Sequence, residues 1–403
     1  MSVATITTAP DLPHGYAWLA ANAVEHNIFF EPQMMEPALR HLASEGVELC
    51  LATDPQDGIP RAAIPVYRPH GRYGPMPTPL PLAVWHHPYS MLATPLVSPE
   101  DPSAALEALL AKAGRRHDGP PVLLMQNILA DGTVWPMLQQ VIEASGRRFH
   151  ILETRQRAGL KRDVEETKAA TLRQLLGKKS AQSIKASRRK LGEHGALSHT
   201  IAMAPDEMPE AISIFLALEA GGWKGRNGTA LRSLGHDGFA LETAMNLAEN
   251  SRARVDFTLL QTPGAEAKPI AGTLSLKAGN TETPIWMPWK TAYDETFIKA
   301  APGALALADL TEQLLADAQS ANQPLLLDSL AAPNSVIARR LWRDHWTLID
   351  VLIDLQPGGS GAFGPILMAE KARKSAFVAG KAARAAIKRA AKRAQTALTS
   401  QRC

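Results

Sequence analysis

Between Arg254 and Tyr293 the chain runs through three consecutive segments of strand character, "RVDFTLLQ", "KPIAGTLSLKAG" and "TPIWMPWKTAY". It then turns at Pro302-Gly303 into an Ala/Leu stretch with helical spacing. That order narrows the folds open to the chain, because a sheet with apolar faces must be covered by helices drawn from the same neighbourhood. Two helices are expected ahead of the strands, at about 206–219 and over "DGFALETAMNLAEN". After the 302–320 helix come a strand "PLLLDSL", a helix "SVIARRLWRDH" and a final strand "TLIDVLIDL". These segments predict a compact α/β unit of about 150–180 residues.

The first part of the chain is patterned differently. Prolines crowd the segment from Pro69 to Pro99. Each removes a backbone donor and restricts the residue before it, so short strands and turns are expected there, not one long helix. Around it lie expected helices at about 32–44, 102–113 and 134–145 and a buried strand "PVLLMQNI". The stretch "TLRQLLGKKSAQSIKASRRKLGEHGA" puts Leu172, Leu175, Leu176, Ile184 and Leu191 on one helical face and crowds Lys178, Lys179, Lys185, Arg188, Arg189 and Lys190 onto the rest. It reads either as a solvated helix face or as a seat for a phosphorylated ligand. "QPGGSGAFGP" reads as a linker into a basic, Ala-rich tail, helical or disordered.

The net charge of +4 conceals an asymmetry. From Pro357 onward ten Lys/Arg face one Glu, so the remainder carries −5 and the basic balance belongs to the tail. The folded body therefore shows no electrostatic footprint of a nucleic-acid binder. An anionic membrane, nucleic acid or plain solvent are the alternatives for the tail. No stretch approaches a membrane span, the N-terminus lacks the pattern of an export signal, and only Cys50 and Cys403 are present. A cytoplasmic address follows, with membrane association only through the tail. There is no Walker A loop, no G-x-G-x-x-G after a strand and no H-E-x-x-H, and His86-His87, adjacent in sequence, reads as structural. No metal site is expected.

Three blocks remain, "LEAGGWKGRNGT" (218–229), "WKTAYDETFIKAAPGALAL" (289–307) and "LLLDSLAAPNSVIARRLW" (326–342). With "KKSAQSIKASRRKLGEHG" (178–195) before them, they resemble the CelD-like, BioF-like acetyltransferase branch of the GNAT superfamily, related to the FemAB aminoacyltransferases. The resemblance covers about 170–355, and "HNIFFEPQMMEPALRHLA" is a weaker echo of the usual opening of such proteins. It implies tandem GNAT-like domains with mixed central sheets: a degenerate unit over 1–165, the transferase unit over 166–356, and the tail over 357–403. It also implies acyl-CoA as co-substrate, with no permanently bound cofactor, and an amine or hydroxyl acceptor, a small molecule or a glycan, lipid or envelope precursor. The alternatives are an aminoacyl-tRNA donor, as in the FemAB branch, or a non-catalytic binding protein on the same fold.

Within this resemblance the Pro-Gly turn has a physical purpose. A helix N-terminus is a ready receptor for a pyrophosphate, since free N–H groups and the positive dipole end converge there. Pro302 fits the first turn and Gly303 permits close approach, so Lys290, Pro302, Gly303 and Ala304 are the expected cofactor contacts. Ala301 stands where such sequences commonly carry Ser. Glu219 or Asp294 is the expected base and Tyr293 the acid. Trp223, Lys224, Asp328 and Ser329 are the expected acceptor contacts.

Overall fold

The computed structural model describes residues 12–42, 46–69, 80–115 and 119–400, with side chains up to residue 380 and at 383. Its strands are β1 (Glu48–Thr53), β2 (Pro60–Tyr67), β3 (Leu82–Val84), β4 (Leu96–Val97), β5 (Val122–Leu129) and β6 (Phe149–Arg162), then β7 (Ala196–Ala202), β8 (Ala253–Gln261), β9 (Lys268–Ala278), β10 (Ile285–Tyr293), β11 (Leu325–Asp328) and β12 (Asp344–Asp354). The helices are α1 (Tyr16–Asn22), α2 (Pro32–Leu42), α3 (Pro102–Gly114), α4 (Val134–Ala144), α5 (Val164–Ala169), α6 (Leu172–Leu176) and α7 (Lys178–Gly192), then α8 (Met208–Gly221), α9 (Trp223–Arg226), α10 (Asp237–Ala248), α11 (Pro302–Ala321), α12 (Val336–Leu341) and α13 (Phe363–Ser400). The expected α/β class is the observed one.

The strands form one mixed sheet in the order β1-β2-β3-β5-β12-β6-β11-β10-β9-β8-β7, with β4 on β2. A topology repeats within it. In the first half β1, β2 and β3 are antiparallel and a crossover containing α3 returns the chain as β5, parallel to β3. In the second half β8, β9 and β10 are antiparallel and α11 leads to β11, parallel to β10. The next strand of each half then crosses over: β12 lies against β5, and β6 lies against β11. β6 and β12 pair with each other from Gly159↔Asp344 to Phe149↔Ile353, so the two halves share a continuous hydrogen-bonded ladder. Gly159 sits where β11 and β12 both reach β6. A Cβ there would come within 2.4 Å of the Leu327 carbonyl and 2.5 Å of Trp346 Nε1, which is why this strand position needs glycine.

Local chemistry explains most element starts. Asp101 accepts from Ala104 N ahead of α3, and reciprocal capping boxes, Asp163/Glu166 and Thr171/Gln174, open α5 and α6. In the second half α8 and α10 bury Phe215, Leu216, Phe239 and Leu247 in one core with the N-terminal elements, while α7 and α11 bury Leu191, Leu305, Leu310 and Leu314 in a second. Helices thus cover both faces of β8–β10.

The segment before the tail departs from the expected linker. Ser360 N–H donates to Asp354 at 2.7 Å, Arg148 bonds the Ser360 carbonyl, and Phe363 and Ile366 are buried against Val122, Leu124 and Leu352. The first turns of α13 are therefore part of the body. Lys374 ends this anchorage, at 2.8 Å from both Glu153 and Asp350. Beyond it Phe377 and Val378 are exposed. No helix among the described residues is long and apolar enough to cross a membrane.

Candidate functional site

The parallel neighbours β10 and β11 stay together only at Ile285↔Leu326 and Trp286↔Leu327. Beyond that point β10 slips register against β9 between Pro288 and Lys290, a β-bulge, and continues to Tyr293 with β9 on one edge. A bulge re-aims side chains, and here it sets two sequence neighbours against one residue. Trp289 Nε1 donates to the Tyr89 carbonyl at 3.2 Å, and Lys290 Nζ lies 4.1 Å above the Tyr89 ring. Tyr89 comes from the proline-dense first half. Its ring stacks on Phe239 and its hydroxyl is 2.7 Å from His236 Nδ1.

Glu219, in the last turn of α8, is 3% exposed. It is held by Lys224 Nζ at 2.8 Å and by Leu231 N–H at 2.9 Å. Lys224 also donates to the Thr291 carbonyl at 3.1 Å, on β10 itself. Burial and the nearby Lys224 charge together push the Lys290 ammonium down to about 8, with Glu219 pulling the other way. Burial, with a contribution from Glu219, raises the Tyr89 hydroxyl to about 12. Lys224 thus pairs directly with the enclosed carboxylate, whose charge reaches Lys290 only through space. Lys290 makes no direct hydrogen bond or ion pair among the described residues.

On the opposite face, the Tyr293 ring closes on the start of α11. A Cβ at Gly303 would come within 2.8 Å of Tyr293 Cδ1, so glycine is required for this packing. The receptor expected at this helix end is smaller than a bare N-terminus. Ala301, left-handed at φ +51°, offers its carbonyl to Ala304 N and Leu305 N at 3.1 and 3.2 Å. Pro302 has no N–H, and the Gly303 amide is left without a partner among the described residues.

The remaining expected residues fall in three environments. Asp294 accepts from Thr296 N at 2.8 Å, capping the short 3-10 turn Glu295–Ala300. Trp223 is 46% exposed, while its N–H donates to Glu295 at 2.6 Å and Arg226 pairs with the same carboxylate. Asp328 is buried against Arg157 of β6, with Arg157 Nε at 2.6 Å, and also accepts from Leu330 N at 3.0 Å. Ser329 is buried and accepts from Ala331 N at 3.2 Å. Asp328 and Ser329 thus shape the strand end instead of lining an open site. Asp328→Ala would strand a buried guanidinium and should lower the unfolding free energy by about 3–5 kcal/mol, measured by urea denaturation.

Tyr89, His236, Glu295 and Arg157 gave no signal in the sequence, since each acquires its task from a partner far along the chain. His87 is buried between Trp85, Tyr89 and Phe239, and His86 beside it is partly buried. Burial, His86 and Lys290 hold the His87 imidazole down at about 3, so it is neutral at pH 7. No group of three or more His, Cys, Asp or Glu placed to hold a metal occurs among the described residues.

Parted parallel strands, a bulge at the parting and a Pro-Gly helix start beside it thus form one local unit. Residues 178–320 match the family model of the acetyltransferase (GNAT) domain. Among solved structures, that of FemX is similar over 85% of this chain and 95% of its own, at 9% identity and a TM-score of 0.52, a likeness of fold. A conserved protein of unknown function from Bacteroides thetaiotaomicron VPI-5482 aligns over the same shares at 12% identity and a TM-score of 0.49. No curated protein matches the chain.

Proposed function

We propose that the protein transfers an acyl group from acyl-CoA to an amine or hydroxyl acceptor at the parting of β10 and β11. The observation that carries this reading is the enclosed Lys290–Glu219–Lys224 cluster on the bulged side of that parting. A lysine near 8 has a substantial neutral fraction at mildly basic pH and can accept a proton from the acceptor as it attacks the thioester carbonyl. The carbon–sulfur bond then breaks and the thiolate leaves. Tyr293, against the α11 start, is the proposed donor of its proton. Glu219 is reassigned from base to partner, because both of its oxygens are already engaged. Asp294 is reassigned to capping. Lys224 bridges Glu219 to β10, and Gly303, whose amide has no partner among the described residues, remains the proposed phosphate contact, whereas the Ala304 amide is taken by the Ala301 carbonyl.

We also read the chain as two GNAT-like halves, 1–165 and 166–356, that exchange a strand; the repeated topology supports this. On that reading the first half contributes Tyr89 to the site of the second.

Thermal unfolding with a panel of CoA thioesters tests the donor. A ligand that binds only the folded chain at a hundred times its Kd adds about 2.7 kcal/mol of stability. A rise in Tm with at least one thioester is expected; no rise with any of them removes acyl-CoA as donor. The FemAB resemblance supplies the second reading, an aminoacyl-tRNA donor, for which an aminoacyl-tRNA is the matching probe.

A further inference from the structure

At the far end of β10 a cavity of about 670 Å³ opens between the start of that strand, the C-terminal half of α11 and the segment following α1. Four residues of strand separate Trp286 from Lys290, roughly 13 Å, and neither Lys290 nor Tyr293 lines this cavity. Its floor carries Lys277 and Trp286, direct partners across β9 and β10, with Lys277 Nζ 5.4 Å from the indole centroid. Pro284, Leu314 and Ala318 supply apolar wall.

The charges lining the cavity are unequally matched. Arg252 is fully engaged: its terminal nitrogens meet Glu31 at 2.5 and 3.0 Å and its Nε donates to the Lys277 carbonyl at 2.9 Å. Asp317 pairs with Arg254 at 2.9 Å. Lys277 has no hydrogen bond or ion pair among the described residues, and burial together with the Arg252 charge holds its ammonium below the usual lysine range. A part-buried cation set against an aromatic face and beside a second, committed cation is stabilised by an anion that reaches it.

The volume lies within the range of small-molecule sites, and such sites pair an apolar lining with a few polar anchors. We propose that this cavity binds a small organic carboxylate, with its head group on Lys277 and its flat or aliphatic body against Trp286 and Leu314. A phosphate dianion is disfavoured, because a second free cation would be needed and Arg252 is already committed to Glu31. A cationic ligand would meet Lys277 itself. The Glu31–Arg252 pair joins the N-terminal segment to the start of β8, so an occupant would sit on the joint between chain regions 221 residues apart.

Isothermal titration of the full chain with phenylacetate, hexanoate and inorganic phosphate tests the site. At least one carboxylate should bind at a single site. Lys277→Gln should weaken it about tenfold or more, the loss expected of a charge-assisted hydrogen bond, while Lys277→Arg stays within about threefold of the parent. Trp286→Ala should weaken the same ligand, and the unliganded Lys277 variants should melt close to the parent. No binding of either carboxylate, binding untouched by Lys277→Gln, or phosphate binding as tightly as the carboxylates would overturn the proposal. Because Lys290 does not line the cavity, a CoA thioester that shifts Tm equally in the parent and Lys277→Gln keeps this test separate from the donor assignment.

Discussion

Lys290→Met is expected to remove transfer by at least about a hundredfold, the scale of a lost general base, while raising stability at pH 7. The ammonium is enclosed beside Lys224 and its pKa falls to about 8, so the fold disfavours the charged form. Between about 8 and the unfolded value of 10.5 the unfolded chain binds more protons than the folded one, so stability rises with pH across that window. Below it the full cost of the buried charge is present, about 3 kcal/mol from the shift, offset by about 1 kcal/mol of cation–π attraction to Tyr89. Methionine keeps the stem and omits the charge. Thermal unfolding and initial rates on the same preparation separate the two effects: lost rate with raised Tm is catalytic, whereas lost rate with lowered Tm is a folding defect. In the parent, kcat/KM should climb with pH and level off above about 8; a profile that declines there would mean the protonated lysine is the working form.

How far the sequence announces this depends on the range of the interaction. β8, β9, β10 and α11 are legible because alternation, helical spacing and the Pro302-Gly303 punctuation are local signals, and α11 begins at Pro302 as expected. β6 is not. Its charged residues Glu153, Arg155, Arg157 and Lys161 look like a solvated return, yet Arg155 is neutralised by Asp350 and Arg157 by Asp328, partners 195 and 171 residues away. The crossed placement of β6 on β11 and β12 on β5 is hidden for the same reason, since local pattern does not say which neighbour a strand takes. "QPGGSGAFGP" has linker composition, but Asp354 and Arg148 pin its backbone. The site divides likewise. Glu219, Lys224 and Lys290 stand in quoted motifs, whereas Tyr89 lies in a proline-dense run with no periodicity and becomes visible only when the fold brings it under Lys290.

Glu219→Gln tests whether these residues act as one electrostatic unit. The carboxylate pairs directly with Lys224 and, through space, raises the Lys290 pKa against burial and Lys224. Glutamine is nearly isosteric: its carbonyl oxygen can still accept from Leu231 N–H, but the amide cannot neutralise Lys224, so the Lys224 charge then acts on Lys290 without an opposing carboxylate. Lys290 must respond by releasing its proton more readily, and the rising limb of the kcat/KM profile should move to a pH below that of the parent, with the same direction for the Tyr89 hydroxyl, which Glu219 also raises. Stability should fall by about 3–5 kcal/mol, the loss that follows removal of one partner from a buried pair. A carboxylate serving as the base itself would give the opposite kinetic signature: the plateau would collapse without a shift of the limb. A displaced limb with much of the plateau retained assigns proton transfer to Lys290 and tuning to Glu219, and rescue of the parental limb by Glu219→Asp would fix the effect on charge, not on side-chain length.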